Sequence, residues 1–188
     1  MSNIQKLLDA AETGQQNAAE ELLPLVYDEL RKLATSRMAR EDGIWGSGAT
    51  SLVHDAYLQL VGPRNDAQFA NHRHFFAAAA EAMRRILIDR ARKRSAQKHG
   101  GGYKKLDLDL LVLGDPNQIQ GHDEVLALDE AIGELQKHNQ QAADLVKLRF
   151  FAGFKHTEAA EVLGISRRQA DGLWVVAKTW LYQRLADQ

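Results

Sequence analysis

The chain of 188 residues contains no cysteine, which excludes a disulfide framework and any metal site built on thiolates. Proline occurs only three times, so few positions oppose a helix. No stretch approaches the roughly 18 uninterrupted apolar residues of a membrane-spanning helix. The first residues, MSNIQKLLDAAETGQQ, lack the basic start and apolar run of a signal peptide. We therefore expect a cytoplasmic protein without a membrane partner.

The motifs of common enzyme and cofactor sites are also missing. The glycine-rich run HGGGYKK lacks the Gly-Lys-Ser/Thr ending of a phosphate-binding loop and follows no strand pattern. His72 and His74 suggest a metal only weakly, because no cysteine or carboxylate pair lies near them in sequence. We predict a protein that is not an enzyme and that uses neither a cofactor nor a metal.

Charge is distributed along the chain in blocks. The net charge is −1, which by itself says nothing about partners. Residues 64–105 contain 11 Lys and Arg against 3 Asp and Glu, whereas the flanking segments 1–63 and 106–188 are both acidic. This pattern predicts a surface for a polyanion in the middle of the chain, and a solvated basic helix face is the alternative.

The periodicity of apolar residues is helical nearly throughout. Apolar positions recur every three or four residues in 18–40, in 51–61, in 74–94 and from His122 onward. Thr50 or Ser51 is expected to cap the second of these helices, and Gly62-Pro63 to end it. Turn residues and a short alternation of leucines in 103–121 favour a linker over a small strand.

These patterns predict an all-α fold with two small helical domains. The first domain covers residues 1–99 and the second covers residues 122–188, with a flexible linker at 100–121.

The second domain contains the pattern of a helix-turn-helix. Ala160 is the small residue expected where the two helices cross, and Gly164 tolerates a positive φ in the turn. Ser166 is expected to cap the second helix. Apolar residues complete the unit at Leu163, Ile165, Ala170 and Leu173. An ordinary αα-hairpin is the alternative interpretation.

The exposed face of this second helix is predicted to be poor in positive charge. Helical spacing places six residues on it: Arg167, Arg168, Asp171, Gly172, Val175 and Lys178. Asp171 opposes a phosphate, although it could accept a hydrogen bond from cytosine. Because phosphate neutralisation supplies much of protein–DNA affinity, we expect this helix to bind duplex DNA weakly.

Two segments of the chain resemble one protein family. FANHRHFFAAAAEAMRRILIDRARKRSAQKHGGG resembles the second conserved domain of bacterial RNA polymerase sigma factors, and ADLVKLRFFAGFKHTEAAEVLGISRRQADGLWVVAKTWLYQRL resembles the fourth. The compact arrangement is similar to the extracytoplasmic-function type, and the resemblance covers about residues 20–185. It implies a subunit that directs promoter recognition, promoter melting and transcription initiation.

The resemblance also implies roles for individual residues. Polymerase docking on the clamp helices would use Leu52, Asp55 and Gln59. Capture of a flipped promoter base in the loop Ala70–His74 would use Asn71, His72, Arg73 and His74. Contacts with the DNA backbone would use Arg84, Arg85, Arg92, Lys93, Arg94 and Lys98. Contacts of the helix-turn-helix with DNA would use Ser166, Arg167, Arg168, Asp171 and Lys178.

Several positions leave alternatives open. Phe75 and Phe76 would either stack on bases or belong to the core, and Ala77–Ala80 stands where many relatives carry an aromatic residue. The implied partners are core RNA polymerase and promoter DNA, both duplex and melted, with an anti-sigma or recruiting factor as a further partner. The alternative function is a sigma-derived adaptor or a helix-turn-helix regulator that another factor recruits.

Overall fold

The computed structural model describes residues 48–61, 69, 72–97 and 122–186. All regular structure in these residues is helical, as the sequence predicted. The helices are α1 (Gly48–Val61), α2 (His72–Gln97), α3 (His122–His138), α4 (Gln140–Phe150), α5 (His156–Leu163) and α6 (Arg167–Ala186). The predicted helix 18–40, the linker 100–121, Asn71 and Lys98 lie outside the described residues.

Two helix starts differ from the prediction. Helix α1 begins at Gly48, so Thr50 and Ser51 lie within the helix and do not cap it. Helix α2 begins at His72, which makes the last part of the predicted base-capture loop helical. The physical reason for the start of α2 is the burial of Phe76, which is 3% exposed and packs against Phe154.

Helices α1 and α2 pack against each other through apolar side chains, and Arg90 lies at the edge of this contact. Leu52, Val53 and Ala56 of α1 are almost fully buried. There, Arg90 of α2 donates to Asp55 Oδ2 at 2.7 Å and to Ser51 Oγ at 3.0 Å. The predicted apolar face of α2 is also buried, at Phe75, Ala79, Met83, Ile86 and Ala91. Both Phe75 and Phe76 are only 3% exposed, so they belong to the core in this structure.

Local signals define the ends of the next helices. Asp123 and Glu124 lie in the first turn of α3, and Lys137 and His138 lie in its last turn, which complements the helix dipole. Asn139 then caps α4, because its side chain accepts from the N–H of Ala142 at 2.9 Å.

Aromatic contacts fasten α6 to the helices before it. The Arg149 guanidinium of α4 lies 3.8 Å from the ring centroid of Trp174, and the Phe150 ring stacks on the same indole at 6.2 Å. Further along α6, Trp180 packs on His138 at the end of α3. Burial lowers the pKa of Arg149. The contacts hold α6 at a fixed orientation across α3 and α4.

The turn between α5 and α6 has the features that the sequence predicted. Gly164 has a φ of 69°, in the left-handed region where glycine is favoured. The N–H of Ile165 donates to the carbonyl of Ala160 at 3.0 Å. Ser166 and Gln169 form a reciprocal cap, in which the Ser166 N–H donates to Gln169 Oε1 and the Gln169 N–H donates to Ser166 Oγ.

Helix α2 lies between α1 on one side and α3, α4 and α5 on the other. The ring of Phe76 meets the ring of Phe154, just before α5, edge to face at 5.5 Å. Buried residues of both predicted domains form one continuous hydrophobic cluster. The two halves are therefore in direct contact in this structure.

Candidate nucleic-acid interface

The basic residues of α2 differ in how far they are exposed. Arg85, Arg92 and Lys93 form an exposed group on the side of α2 that points to solvent. The side chain of Arg85 is 68% exposed and that of Arg92 is 66% exposed. Their ion pairs are with Glu81 and Asp89 of the same helix, and such exposed pairs contribute little. These three cations are therefore accessible to a polyanion.

Arg84, in contrast, forms contacts with the C-terminal helices. Its side chain is 22% exposed and donates to Glu81 on its own helix and to Asp129 of α3. The hydrogen bond to Glu81 raises the pKa of Arg84, burial acts in the opposite direction, and the charge of Asp129 adds to the rise. Arg84 therefore links α2 to α3 in this structure.

The same contact extends to α4 through Glu81. Lys147 Nζ lies 3.7 Å from Glu81 Oε2 and donates to Gln136 Oε1 at 2.7 Å. Burial raises the pKa of Glu81, but hydrogen bonds from Arg84 and Arg85 and the charges of Arg84 and Lys147 outweigh it, so the net pKa is lowered. A cleft of about 440 Å³ lies beside these residues. We refer to Glu81, Arg84, Asp129 and Lys147 as the interhelix ion network.

Residues at both ends of α2 also contact the C-terminal helices. Near its start, a Cβ placed on Gly164 would lie only 2.7 Å from Arg73 Nη1, so the Arg73 guanidinium rests against the α5–α6 turn. Near its end, Arg94 Nη1 lies 3.4 Å from His122 Nε2, and Ser95 Oγ donates to Asp123 Oδ1 at 2.8 Å. His74 is exposed and lies 5.8 Å from the Phe69 ring, measured between centroids. The side chain of His72 lies outside the described set.

The predicted polymerase-docking residues have different environments. Leu52 is 1% exposed and packs in the core, so its side chain offers no surface to a partner. The side chain of Asp55 is 45% exposed, and it accepts the hydrogen bond from Arg90. Gln59 is exposed on the outer side of α1. A docking surface on α1 would thus involve Asp55 and Gln59, with Leu52 supporting the helix from behind.

The outer face of α6 has the composition that the sequence predicted. Arg167 and Arg168 are exposed in its first turn, and Lys178 is partly exposed. Two large apolar side chains stand among them, with Val175 at 59% and Val176 at 48% exposure. Ser166 is exposed, but its hydroxyl takes part in the cap.

Asp171 has a structural partner that accounts for its place on this face. Its Oδ1 lies 2.9 Å from His156 Nε2, in the first turn of α5, and the His156 ring packs against Trp174. The contact joins the first turn of α5 to the second turn of α6. Asp171 therefore helps to position the two helices, a role that its sequence context did not indicate.

The sequence interpretation missed the partners of the covered cations. Arg84 and Asp129 are 45 positions apart, and no local pattern connects them. Glu81 and Lys147 are similarly distant in the chain. The only signal was global: a basic block is followed by an acidic segment, and opposite charges attract when the fold brings them together.

The residues that the structure describes contain no group of three side chains that could hold a metal ion. Among the helices of the same residues, none has the length and apolarity needed to cross a membrane.

Comparison with known protein families gives a match over nearly the whole chain. The family model described as ECF sigma factor matches residues 1–187, which is nearly the whole chain. No curated protein matches, and no solved structure matches.

Proposed function

The chain belongs to the ECF sigma factor family, and we propose that it binds core RNA polymerase, recognises and melts a promoter, and starts transcription there. The match over residues 1–187 carries this proposal, since it includes both the basic helix and the two C-terminal helices that DNA recognition would need. A role in transcription initiation follows from the family, and the assignment of surfaces to partners is our inference.

Helix α2 is assigned to the melted promoter strand. Its exposed cations Arg85, Arg92 and Lys93 can neutralise phosphates, which supplies sequence-independent affinity for a nucleic acid. Arg73 and His74, at the start of the same helix, offer polar groups that can read the edge of an unstacked base. The two functions then lie along a single rigid element.

Helices α5 and α6 are assigned to duplex DNA as a helix-turn-helix. Arg167 and Arg168 lie exposed in the first turn of α6, the part of a recognition helix that commonly meets base edges. Lys178 adds one cation two to three turns later. With so few positive charges, this element contributes modestly to affinity and depends on attachment to the polymerase. On α1, the exposed part of Asp55 together with Gln59 is assigned to polymerase docking.

Run-off transcription with purified core polymerase tests this proposal. The full chain should allow core polymerase to initiate at defined start sites, which mapping of the transcript ends would locate. Core polymerase without the chain provides the baseline. If the chain neither co-purifies with core polymerase nor supports initiation, the proposed function is wrong.

The outer face of α6 favours one alternative, a sigma-derived adaptor. Val175 and Val176 are exposed where DNA contacts are expected, and apolar side chains of this size suit a protein partner better than phosphate. The adaptor would co-purify with core polymerase but would require another factor for initiation. The same transcription assay therefore separates the two functions.

A further inference from the structure

Asp171 stands on the exposed face of the helix assigned to duplex DNA, and a side chain of the preceding helix holds it. We propose that His156 is a positioning residue for promoter reading: it orients the Asp171 carboxylate so that this group accepts a hydrogen bond from the N4 amino group of a cytosine in the major groove. The inference rests on the proposed function and deepens it, because it names the base that the face of α6 recognises and the residue that prepares the contact.

The contact between the two side chains defines which atoms donate and accept. His156 Nε2 lies 2.9 Å from Asp171 Oδ1. An ionised carboxylate only accepts hydrogen bonds, so the imidazole carries a proton on Nε2 and donates it to Oδ1. The Asp171 side chain is still 58% exposed, and a carboxylate offers about four lone-pair sites on its two oxygens. The contact therefore orients the carboxylate and leaves it able to accept from a second donor.

Aromatic packing holds His156 in place in turn. Its side chain is only 22% exposed, and its ring meets the Trp174 indole edge to face, with the centroids 6.3 Å apart. From α4, the Arg149 guanidinium and the Phe150 ring contact the same indole. A donor inside such a packed cluster has few other positions to occupy. Little conformational freedom is then lost when the carboxylate that it orients binds a base.

The chemistry of the carboxylate selects among the four bases. In the major groove, guanine presents two acceptors, thymine presents an acceptor and a methyl group, and adenine presents an acceptor beside its amino donor. Cytosine presents its N4 amino donor alone. A group that only accepts therefore pairs best with cytosine, and it repels a phosphate. Asp171 adds nothing to general affinity for DNA, so its contribution is to the choice of base.

The residues around Asp171 allow a base edge to come close. Arg168 precedes it by one turn and Val175 follows it by one turn, and both are exposed. A Cβ on Gly172 would meet no described atom within 4 Å, so packing within the described part of the chain does not require a glycine there. A glycine weakens a helix, and the missing side chain leaves room for a surface that approaches from outside.

Replacement of single base pairs tests the inference. In run-off transcription with core polymerase and the full chain, each base pair upstream of the melted segment of one mapped promoter is replaced in turn by the other three pairs. One cytosine position should support initiation at least about fivefold better than the other bases. With Asp171→Asn, the preferred base at that position should change to adenine, because an amide accepts from N6 and donates to N7.

Two variants of His156 separate positioning from a purely structural role. His156→Leu keeps an apolar side chain against Trp174 but removes the donor, so the preference for cytosine should fall to about twofold or less. His156→Gln supplies an amide donor and should recover the preference. A purely structural role would lower initiation from all promoter variants alike. Glu161→Gln, which removes an exposed carboxylate of α5, is the matched control and should leave every preference unchanged.

Each result decides the inference. A cytosine preference that changes to adenine in Asp171→Asn, is lost in His156→Leu and returns in His156→Gln supports it. Absence of any such cytosine position, or an unchanged ranking of bases in Asp171→Asn, overturns it and leaves the proposed function intact, since initiation is still observed. A preference that survives His156→Leu also overturns it. Because Asp171 is exposed, Asp171→Asn remains decisive even if a His156 variant fails to fold. If the unmodified chain does not initiate at all, the proposed function fails and the inference falls with it.

Discussion

Helices α2 and α6 are the two elements assigned to DNA, and they differ in how their charge is used. Helix α2 is rich in cations, but Arg73, Arg84 and Arg94 contact other parts of the fold. Helix α6 has few cations, yet its Arg167 and Arg168 are fully available at the surface. The number of charges in a segment therefore does not measure the charge that a partner can reach, because tertiary contacts decide which side chains are free.

The largest effect on this comparison is expected from removing the aromatic contact that holds α2 against the residues before α5. Phe154 is 8% exposed and packs against Phe76, so Phe154→Ala should lower the free energy of unfolding by about 3–5 kcal/mol. Tyr182→Ala, at a position that is 47% exposed, should change it by no more than about 0.5 kcal/mol. Denaturant unfolding measures both. Equal losses in the two variants would show that Phe154 is not buried in solution.

The accessible charge of α2 can be tested by reversal. Arg92→Glu with Lys93→Glu should weaken binding of a promoter oligonucleotide on the order of 100-fold, because phosphate contacts dominate such affinities. The salt dependence of binding should become shallower at the same time. A titration at several salt concentrations measures both effects.

The matched control reverses two exposed cations elsewhere, Lys137→Glu with Arg184→Glu. Its net charge is the same as that of the α2 variant, so equal weakening would mean that overall charge, and not the surface of α2, determines binding.

The free energy of unfolding, measured at several pH values, tests the interhelix ion network. The lowered pKa of Glu81 means that its carboxylate stabilises the folded chain above the unfolded value, near 4.5, and that this stabilisation is lost as the pH falls through the folded pKa. Glu81→Gln should lower the free energy of unfolding by about 1–2 kcal/mol at pH 7. The difference from the unmodified chain should shrink below about pH 4.

The control for this series is Glu134→Gln, since Glu134 pairs with Lys137 of its own helix on an exposed surface. A smaller loss is expected there. If the Glu81→Gln difference is the same at pH 3 and pH 7, the ionised carboxylate does not hold the network together.

The smallest effects on stability are expected from two glycines of the proposed DNA-binding unit, one in the α5–α6 turn and one in α6. A Cβ on Gly172 meets nothing within 4 Å, so Gly172→Ala should stabilise α6 by about 1 kcal/mol. Gly164→Ala should destabilise the chain by about 1–2 kcal/mol, because its φ is 69°. The same Cβ would also press on Arg73. Thermal unfolding should therefore give shifts of opposite sign, and shifts of the same sign would contradict the placement of the turn.

Much of the helical structure was predictable because its causes are local. The apolar spacing of Val125, Leu128, Ile132 and Leu135 predicted the buried face of α3, and all four are buried. The positive φ of Gly164 likewise follows from residue type and position in a turn. The start of α2 was misplaced, because the burial of Phe76 against Phe154 extends the helix towards His72 and depends on a residue 78 positions away.

The sequence by itself determined the helices, the turn at Gly164, the cap at Ser166 and the segregation of charge between 64–105 and 106–188. Each depends on residue identity and on spacing within a few turns of chain. Only the tertiary structure decided that Leu52 is buried, that Asp171 pairs with His156, and that Arg84 meets Asp129. The physical reason is that exposure and pairing depend on which helices pack together, and contacts between residues far apart in the chain leave no periodic trace in the sequence.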